Sequence, residues 1–530
     1  DIHRCAPLLT VQQVLSLVGR ALFFRFLVDR HIVSEAELPR ISHRTSDLSM
    51  VFSNLDALIE TCTWLDKTFN GDLLSLTDSQ DALDKYAGLR QLLDAGAETI
   101  CWHLTNIQCK AVHGQLPLQW GGIYFRHVPV DVLSQVYEDF AHQFIPELAR
   151  ETSIHFTPRK LAEIVVDGAF SAVGSTTPDR ARVLAPSVGG GVFLVLAFKR
   201  LIAERWGASG KRPCRAEIRR ILMEQITGLD VNHDALNITA LSLYLCALEL
   251  DPDPRPLSEL KFKKLVGSIL HPVDENSLDP AKVPDDSPHD IKLGSLSSEV
   301  LHRHAGLYDI VVGNPPWNAF KDDRAGALNR TLRKLLAKPN QSTSITASAM
   351  VARYGSPDIA FLLAASSWAK PAGAIGFAVH GRFLFQADSF ELRRHVFENI
   401  RVTGVMNFAA LRQDQKIWPK NDAQFALMVA TNETPDPLDG FFFISPRHEP
   451  RLSQEGVFRI DPNSAIPVSL FQVCNDPQAF KALYKGGRLG LDLLHRMRSE
   501  TAQPLGEQVA KHGGSFNSGY QTGKEENRQS

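Results

Sequence analysis

The 530-residue sequence predicts an α/β protein, with a Rossmann-like unit of alternating strands and helices and a helical N-terminal region before it. Three observations support this prediction. An apolar strand leads into a glycine-rich turn and an amphipathic helix over residues 182–202, a second strand ends at Asp230 before another helix, and a third strand over residues 308–313 ends in a proline pair. Strands that alternate with helices in this way are typical of parallel sheets.

The same patterns divide the chain into three regions. Residues 149–438 carry the strand–helix alternation, and a stretch rich in proline and aspartate at residues 251–290 is expected to be an insertion on their surface. Past about residue 438 the alternation breaks down, so residues 439–530 are expected to contain a linker and the start of another domain. Residues 1–148 are expected to be helical, with helical periodicity over residues 11–28, 55–69, 82–96 and 130–148.

Charge, cysteine content and hydropathy limit which classes of protein this chain could belong to. The 57 basic and 59 acidic residues nearly cancel, so binding to nucleic acid would require a local basic cleft. Seven scattered cysteines without Cys-x-x-Cys spacing indicate a reducing compartment and no zinc site. No apolar run approaches the ~18–20 residues of a membrane span, so we expect a soluble, cytoplasmic protein. Candidates for a basic cleft are Arg393, Arg394, Arg412, Lys416 and Lys420, although such clusters more often form a solvated face.

The tetrapeptide Asn314-Pro315-Pro316-Trp317 follows the third strand and carries the most specific chemistry. The Asn314 side-chain oxygen can accept one N–H of a planar amino group, and a backbone carbonyl of the rigid proline step can accept the other. Two acceptors make the amino nitrogen a better nucleophile, because they oppose the delocalisation of its lone pair. Trp317 offers a flat face on which a planar substrate can stack. The motif therefore favours methyl transfer to a planar amino group, whereas the structural alternative is a turn that ends a strand.

This tetrapeptide resembles the catalytic motif of amino-group methyltransferases that use S-adenosylmethionine. The resemblance is chiefly to the adenine-N6 DNA methyltransferases of restriction-modification and phage-defence systems, including type IIG-like enzymes. In that family a Thr-Pro segment, a glycine-rich loop, an acidic strand end and the catalytic motif follow one another, and all four occur here in that order. The resemblance covers about residues 10–440. It implies a Rossmann-like methyltransferase domain after the helical domain, and a truncated target-recognition domain that begins near residues 513–523.

The resemblance also implies which residues hold the cofactor. Thr157 and Pro158 would cap and open a helix near the methionine end of S-adenosylmethionine. The glycines would let the backbone approach the cofactor, and the Asp230 carboxylate would accept its ribose hydroxyls. The structural alternatives are a plain helix cap at Thr157, a plain turn at the glycines and a solvated N-cap at Asp230. The implied cofactor-binding residues are Thr157, Pro158, Pro186, Gly189, Gly191, Phe193, Asp230, Val231 and Ser295.

The sequence departs from the family at Ala185, where an acidic residue is usual. Its absence would remove a charge-assisted hydrogen bond worth ~1.5–3 kcal/mol, on the order of tenfold to a hundredfold in affinity. The expected activity is site-specific methylation of a flipped adenine in double-stranded DNA, without a metal and with a separate specificity or nuclease subunit as a candidate partner. Two alternatives stay open: a catalytically impaired DNA-binding subunit with the same fold, and a methyltransferase acting on protein glutamine or RNA.

Overall fold

The computed structural model describes most of the chain, with gaps. The described residues are 9–43, 45–70, 90, 93, 96–105, 157–254, 261, 263–273, 293–320, 322–336, 356–419, 421–461, 464–499 and 505–515. Among them, no helix has both the length and the apolar character needed to cross a membrane.

Nine strands in the described residues form one sheet, in the order β3-β2-β1-β4-β5-β7-β6-β8-β9. The strands are β1 (Val183–Ala185), β2 (Ile226–Asp230), β3 (Leu270–Pro272), β4 (Tyr308–Gly313), β5 (Ala369–His380), β6 (Arg401–Asn407), β7 (Phe425–Thr431), β8 (Gly440–Ile444) and β9 (Ala465–Ser469).

The first five strands are parallel, and the chain winds outward in both directions from β1 and β4. β7 runs antiparallel between β5 and β6, β8 is parallel to β6, and β9 is an antiparallel edge strand. The strand order reverses between β1 and β4. In open α/β sheets ligands bind at such a reversal, outside the carboxyl ends of the strands.

Helices cover both faces of the sheet. The described helices are α1 (Val11–Asp29), α2 (Leu38–Ile41), α3 (Leu55–Leu65), α4 (Ala97–Thr105), α5 (Arg159–Ala172), α6 (Val192–Ser209), α7 (Arg215–Gln225), α8 (His233–Leu250), α9 (Ser298–Arg303), α10 (Asp322–Leu336), α11 (Asp358–Trp368), α12 (Arg382–Phe385), α13 (Phe390–Asn399), α14 (Pro450–Gln454), α15 (Leu470–Asn475), α16 (Ala479–Ser499) and α17 (Leu505–Lys511).

The residues of β4 belong to two different apolar cores. Ile310 and Val312 pack into the core that contains α1, α5, α6 and α8, whereas Tyr308 and Val311 pack into the core that contains α10, α11 and α13. All four side chains are at most 2% exposed. This two-sided burial explains why β4 is apolar except for Asp309, as is usual for parallel strands.

The N-terminal region is helical where it is described. α1 is the periodic run that we predicted at residues 11–28, and it begins with a capping box between Thr10 and Gln13. The run predicted at residues 55–69 forms α3 and a following π-helical turn, Asp66–Asn70. Most of the run at residues 82–96, and all of the run at 130–148, lie outside the described residues.

Two features differ from the sequence expectation. β3 lies inside residues 251–290, which we predicted to be a surface insertion, and its Leu270 is fully buried and paired with Gly228 of β2. β8 and β9 lie past residue 438, where we expected the alternation to break down, yet both extend the same sheet. The segment expected to start a target-recognition domain, residues 513–523, is described only as far as residue 515.

Candidate active site

Asn314 lies in the loop that follows β4, at the carboxyl edge of the sheet. Its side-chain nitrogen Nδ2 donates a hydrogen bond to Thr157 Oγ1 over 3.0 Å. Its side-chain oxygen Oδ1 is buried and has no hydrogen-bond partner among the residues that the structure describes. A buried acceptor without a donor costs free energy, so native proteins usually satisfy it. Asn314 therefore presents an oxygen that is ready to accept an N–H from a ligand.

The Thr157-Pro158 segment was predicted to begin a helix, with Thr157 as the cap and Pro158 at the first helical position. A helix does begin here, but both predicted positions are wrong by one residue. α5 begins at Arg159 with Pro158 at the N-cap, and the Thr157 side chain caps no backbone N–H. The Thr157 hydroxyl, 5% exposed, instead accepts the hydrogen bond from Asn314. This segment therefore reaches the catalytic motif directly.

The loop after β1 touches the loop after β4. Ser187 Oγ donates a hydrogen bond to the backbone oxygen of Asn314 over 3.2 Å. The two loops are neighbours because β1 and β4 are paired in the sheet, with Val183 opposite Ile310. The predicted cofactor loop and the predicted catalytic motif thus lie side by side.

The glycine-rich turn has backbone conformations that favour glycine. Gly189 and Gly191 have φ of 53° and 86°, in the left-handed region, and Gly191 is the N-cap of α6. A Cβ on Gly191 would lie 2.7 Å from Thr239 Oγ1, and that hydroxyl donates to the Gly189 carbonyl over 3.0 Å. The turn is therefore held against α8, and Gly191 has no room for a side chain.

The Asp230 carboxylate faces the glycine turn from the end of β2. Its Oδ2 accepts the Gly189 N–H and its Oδ1 accepts the Asn232 N–H, both over 2.9 Å. Burial raises the pKa of this carboxyl, and the backbone N–H groups that bond to it oppose the rise. Each oxygen keeps a further lone pair, so the carboxylate can still accept hydroxyl groups. Val231, next in the chain, is 41% exposed at this edge.

Three other predicted cofactor residues are buried. Pro186 follows β1, and its carbonyl accepts a hydrogen bond from Ser295 Oγ over 2.5 Å. Ser295 is 3% exposed and Phe193, in the first turn of α6, is 2% exposed. These contacts support the loop after β1 from behind. Whether any of the three residues also touches a cofactor stays a prediction.

Ala185 ends β1 and is 1% exposed. It pairs with Gly228 of β2 and belongs to the core that contains α6 and α8. Ala185 lies just before the glycine turn, and its side chain supplies neither a charge nor a hydrogen-bonding group.

The Trp317 ring is enclosed by other aromatic rings. It is 7% exposed, lies 5.2 Å from Trp418 between ring centroids, and is stacked at 6.4 Å on Phe425. Its Nε1 donates to the Ala378 carbonyl over 3.4 Å. Trp418 is itself a core residue, 2% exposed. Trp317 is therefore not the open face that the sequence suggested, and a base can stack on it only if a neighbouring ring moves.

The basic cleft that the sequence suggested does not form as a group. Arg393 is fully buried, where its guanidinium donates to the Phe383 and Pro477 carbonyls, and burial lowers its pKa to about 10. Arg394 is paired with Glu398, and Lys416 Nζ donates to the Gln454 carbonyl. Arg412 is exposed, and Lys420 lies outside the described residues.

Sequence reasoning missed three residues beside Trp317. Ser356 Oγ lies 3.3 Å from the Trp317 carbonyl and 2.7 Å from Asp358 Oδ1. Asp358 Oδ2 accepts the backbone N–H of His380 over 3.0 Å, and the His380 ring lies 5.7 Å from the Trp317 ring. His380 ends β5, so an apolar strand predicted over residues 373–379 would have indicated that His380 lies at the carboxyl edge. No local sequence motif marks Ser356 or Asp358.

Two protein-family models match adjoining parts of the chain. Residues 129–255 match the model described as N-6 DNA Methylase, and residues 224–413 match the model described as Eco57I restriction-modification methylase. Together the matches run from residue 129 to residue 413, which is more than half of the chain. They include the glycine turn, Asp230 and the tetrapeptide that begins at Asn314.

Among curated proteins, the chain is similar to the adenine-specific methyltransferase PglX of Streptomyces coelicolor, with 26% identity over 213 residues. That region is 38% of this chain, and the chain spans only 17% of the length of this relative.

Solved structures with similar folds have low sequence identity. The type I restriction-modification methyltransferase subunit from Streptococcus thermophilus is 13% identical, with 96% of this chain and 95% of that chain covered and a TM-score of 0.43. The DrdV–DNA complex is 13% identical, with 85% of this chain and 46% of that chain covered and a TM-score of 0.46. Likeness at this level carries no information about activity.

The sheet order and the loops at its carboxyl edge define a Rossmann-like fold. Within this fold, residues 129–413 resemble the N-6 DNA methylase and the Eco57I restriction-modification methylase families, whose models they match.

Proposed function

We propose that this chain transfers a methyl group from S-adenosylmethionine to N6 of an adenine flipped out of double-stranded DNA, as part of a restriction-modification or phage-defence system. The observation that carries the proposal is the Asn314 Oδ1 atom, which is buried, unpartnered and held in place through the other end of its amide. The match to the N-6 DNA Methylase model supports adenine as the base, because adenine carries its amino group at position 6.

The Asn314 side chain would accept one N6 hydrogen of the flipped adenine. A backbone carbonyl of the Pro315-Pro316 step would accept the second, because neither proline has an N–H that could compete for it. Two accepted hydrogen bonds leave electron density on N6, which makes its lone pair available for the methyl group. The amino group then loses one proton to water or to an acceptor at the site.

The residues at the carboxyl edge fit S-adenosylmethionine. The left-handed glycine turn leaves no side chain over the backbone at Gly189 and Gly191, and the start of α6 behind it favours a carboxylate. Asp230 would accept ribose hydroxyls on the lone pairs that Gly189 and Asn232 leave available. The cofactor supplies an electrophilic methyl group on a positively charged sulfur, and no metal is needed for that step.

The same placement supports the remaining predicted contacts as proposals. Thr157 and Pro158 lie at the start of α5, directly beside the catalytic loop. Val231 follows Asp230 and is exposed, and Ser295 bonds to the Pro186 carbonyl, so both would contact the adenine end of the cofactor. Double-stranded DNA, and a separate specificity or nuclease subunit, are the partners that this function implies, and a cytoplasmic location goes with them.

The competing function is a non-catalytic DNA-binding subunit that has lost its cofactor, and Ala185 favours it. Its side chain cannot supply the bond that the family acid would make. Asp230 nevertheless keeps one carboxylate oxygen bonded to the turn, at the Gly189 N–H, and the other bonded to the Asn232 N–H, which leaves one charged acceptor in place. Methylation of protein glutamine or RNA is not favoured over DNA methylation by the family matches.

Two measurements test the proposal. The first is calorimetric titration of S-adenosylmethionine into the native protein, Ala185→Asp and Asp230→Asn, each checked by thermal unfolding because Ala185 is buried. Micromolar binding by the native protein that Asp230→Asn weakens by about tenfold or more would support a working site. Binding only by Ala185→Asp would indicate an impaired enzyme, and binding by neither would overturn the cofactor assignment.

The second measurement is methylation of bacterial DNA that lacks N6-methyladenine, with the modified positions mapped by sequencing. Methylated adenines within one recognition sequence are the expected result. Asn314→Ala should abolish them while cofactor binding persists, and the exposed Asn475→Ala should behave like the native protein. Methyl groups found on protein or RNA, or on no substrate, would contradict the proposal.

A further inference from the structure

We propose that His380 donates a hydrogen bond from Nε2 to a ring nitrogen of the target adenine, N1 or N7, and so helps to position and select the base. This inference rests on the proposed function. It adds a contact to the base itself, next to the two acceptors that hold the N6 amino group.

The sheet places His380 over the same edge as Asn314. Gly313, the last residue of β4, pairs with Phe377 of β5, and β5 continues for three residues past that pair to His380. Both His380 and the tetrapeptide therefore project beyond the end of β4. The ring of His380 lies 5.7 Å from the Trp317 ring, at an interplanar angle of 73°.

The hydrogen bonds of His380 determine which ring nitrogen carries the proton. Nδ1 accepts the backbone N–H of Arg382 over 3.0 Å, so in the neutral ring Nδ1 has no hydrogen and Nε2 has one. Burial lowers the pKa of His380 to about 4, and the nearby charge of Arg382 acts in the same direction. The ring is therefore neutral at physiological pH, with a single donor at Nε2.

The donor is held in place and is not used elsewhere. The backbone N–H of His380 donates to Asp358 Oδ2, at the start of α11, which anchors the end of β5. No residue that the structure describes bonds to Nε2, and the side chain is half-buried. A half-buried donor beside the base-binding motif requires an acceptor when a ligand excludes water from the site.

Adenine supplies such an acceptor on either side of its amino group. N1 and N7 are both ring nitrogens with a free lone pair, and the N6 hydrogens are already assigned to Asn314 and the proline step. Guanine presents an N–H at N1 and an oxygen at position 6. A donor directed at the N1 edge would therefore attract adenine and repel guanine.

The test uses the full-length protein and a duplex that carries the recognition sequence identified by the methylation map. Three duplexes are compared, with adenine, 1-deazaadenine or 7-deazaadenine at the target position. The native protein should lose about three- to tenfold in kcat/KM with one of the two analogues, the size expected for one neutral hydrogen bond. The affected analogue identifies the contacted nitrogen.

Variants then assign the contact to His380. His380→Phe should lose about the same factor with adenine and show no further loss with the affected analogue, because the donor is already missing. His380→Gln retains a donor and should recover most of the activity. The exposed His302→Gln on α9 serves as the control and should match the native protein. The dissociation constant for S-adenosylmethionine should be unchanged in all of them.

Other outcomes overturn the inference in distinguishable ways. An analogue effect of the same size in the native protein and in His380→Phe would show that another residue makes the contact. Full activity of His380→Phe with adenine would show that no contact exists. If His380→Phe fails to fold, the absence of any analogue effect in the native protein is sufficient to reject the contact. No methylation by the native protein would reject the proposed function, and this inference with it.

Discussion

Asn314 Nδ2 lies 3.0 Å from Thr157 Oγ1, and this contact orients the amide of the asparagine that we propose to be catalytic. With the nitrogen engaged by the hydroxyl, the oxygen at the other end of the amide is the atom left for a substrate. Thr157 therefore has a positioning role that is separate from the cofactor contact implied by the family resemblance.

Replacing Thr157 tests that role. Thr157→Val keeps the shape of the side chain and removes the acceptor, so the amide of Asn314 is free to rotate. We expect kcat to fall by about three- to tenfold while the dissociation constant for S-adenosylmethionine stays within about twofold, and Thr157→Ser to recover most of the rate. If the substitution instead weakens cofactor binding and leaves kcat unchanged, Thr157 acts on the cofactor.

The raised pKa of Asp230 predicts a pH-dependent affinity for the cofactor. The protonated carboxyl is a weaker acceptor, so affinity should fall as pH decreases through a value above the ordinary 3.8. For stability the sign is opposite: the folded protein favours the protonated form, so this contribution is present at low pH and is lost as pH rises through the folded pKa. Calorimetric titration at several pH values measures the affinity.

Two variants identify Asp230 as the titrating group. Asp230→Asn should bind about tenfold to a hundredfold more weakly at neutral pH and lose the pH dependence. Asp253→Asn, at an exposed aspartate, should keep the native profile. A pH dependence that persists in Asp230→Asn would point to a different carboxyl.

Gly191 should tolerate no side chain. Its φ of 86° is strained for alanine, and the added Cβ would meet Thr239 at 2.7 Å. Gly210, with φ of 67° and no atom near a Cβ, separates the two effects. We expect Gly191→Ala to lower the free energy of unfolding by ~2–4 kcal/mol and Gly210→Ala by only ~1–2 kcal/mol, as measured by denaturant titration. Equal losses would indicate that contact with Thr239 is relieved without cost.

Asp309 should be important for folding and not for chemistry. It is 1% exposed and accepts hydrogen bonds from Ser175 Oγ, the Arg182 N–H and Lys370 Nζ, at 2.7, 2.9 and 2.8 Å. Asp309→Ala leaves these donors without an acceptor and should cost ~2–4 kcal/mol. Chemical denaturation measures the loss, with the exposed Asp422→Ala as control. A loss below about 0.5 kcal/mol would mean that water replaces the carboxylate.

The sequence predicted the strands that have an apolar core on both sides. β4 was recognisable because its residues are buried between two cores and are apolar except for Asp309, and α8 followed from its periodicity. β3 was missed because three residues that include His271 and Pro272 show neither alternation nor an apolar run. Its place in the sheet depends on Leu270 packing against β2, which is a tertiary effect.

In the candidate site, too, local motifs predicted some residues, whereas contacts that depend on tertiary structure were missed. Asn314, Asp230 and the glycine turn were predicted because each belongs to a local motif with its own chemistry. The bond from Asn314 to Thr157 joins residues 157 positions apart, so no local pattern reports it. The enclosure of Trp317 likewise depends on Trp418 and Phe425, which reach it only after β7 inserts beside β5. Burial of Arg393 was missed because a charged residue within a polar helix resembles a surface residue.

The hydrogen bond from Ser187 to the Asn314 carbonyl joins the loop after β1, predicted to bind the cofactor, to the loop after β4, predicted to bind the target base. If the loop after β1 moves when the cofactor binds, the Ser187 hydroxyl would transmit that movement to the loop after β4. Such coupling obeys a reciprocity: the factor by which S-adenosylmethionine changes the affinity for DNA equals the factor by which DNA changes the affinity for S-adenosylmethionine. We expect Ser187→Ala to bring both factors toward one together, because the two loops would lose the side-chain bond that joins them.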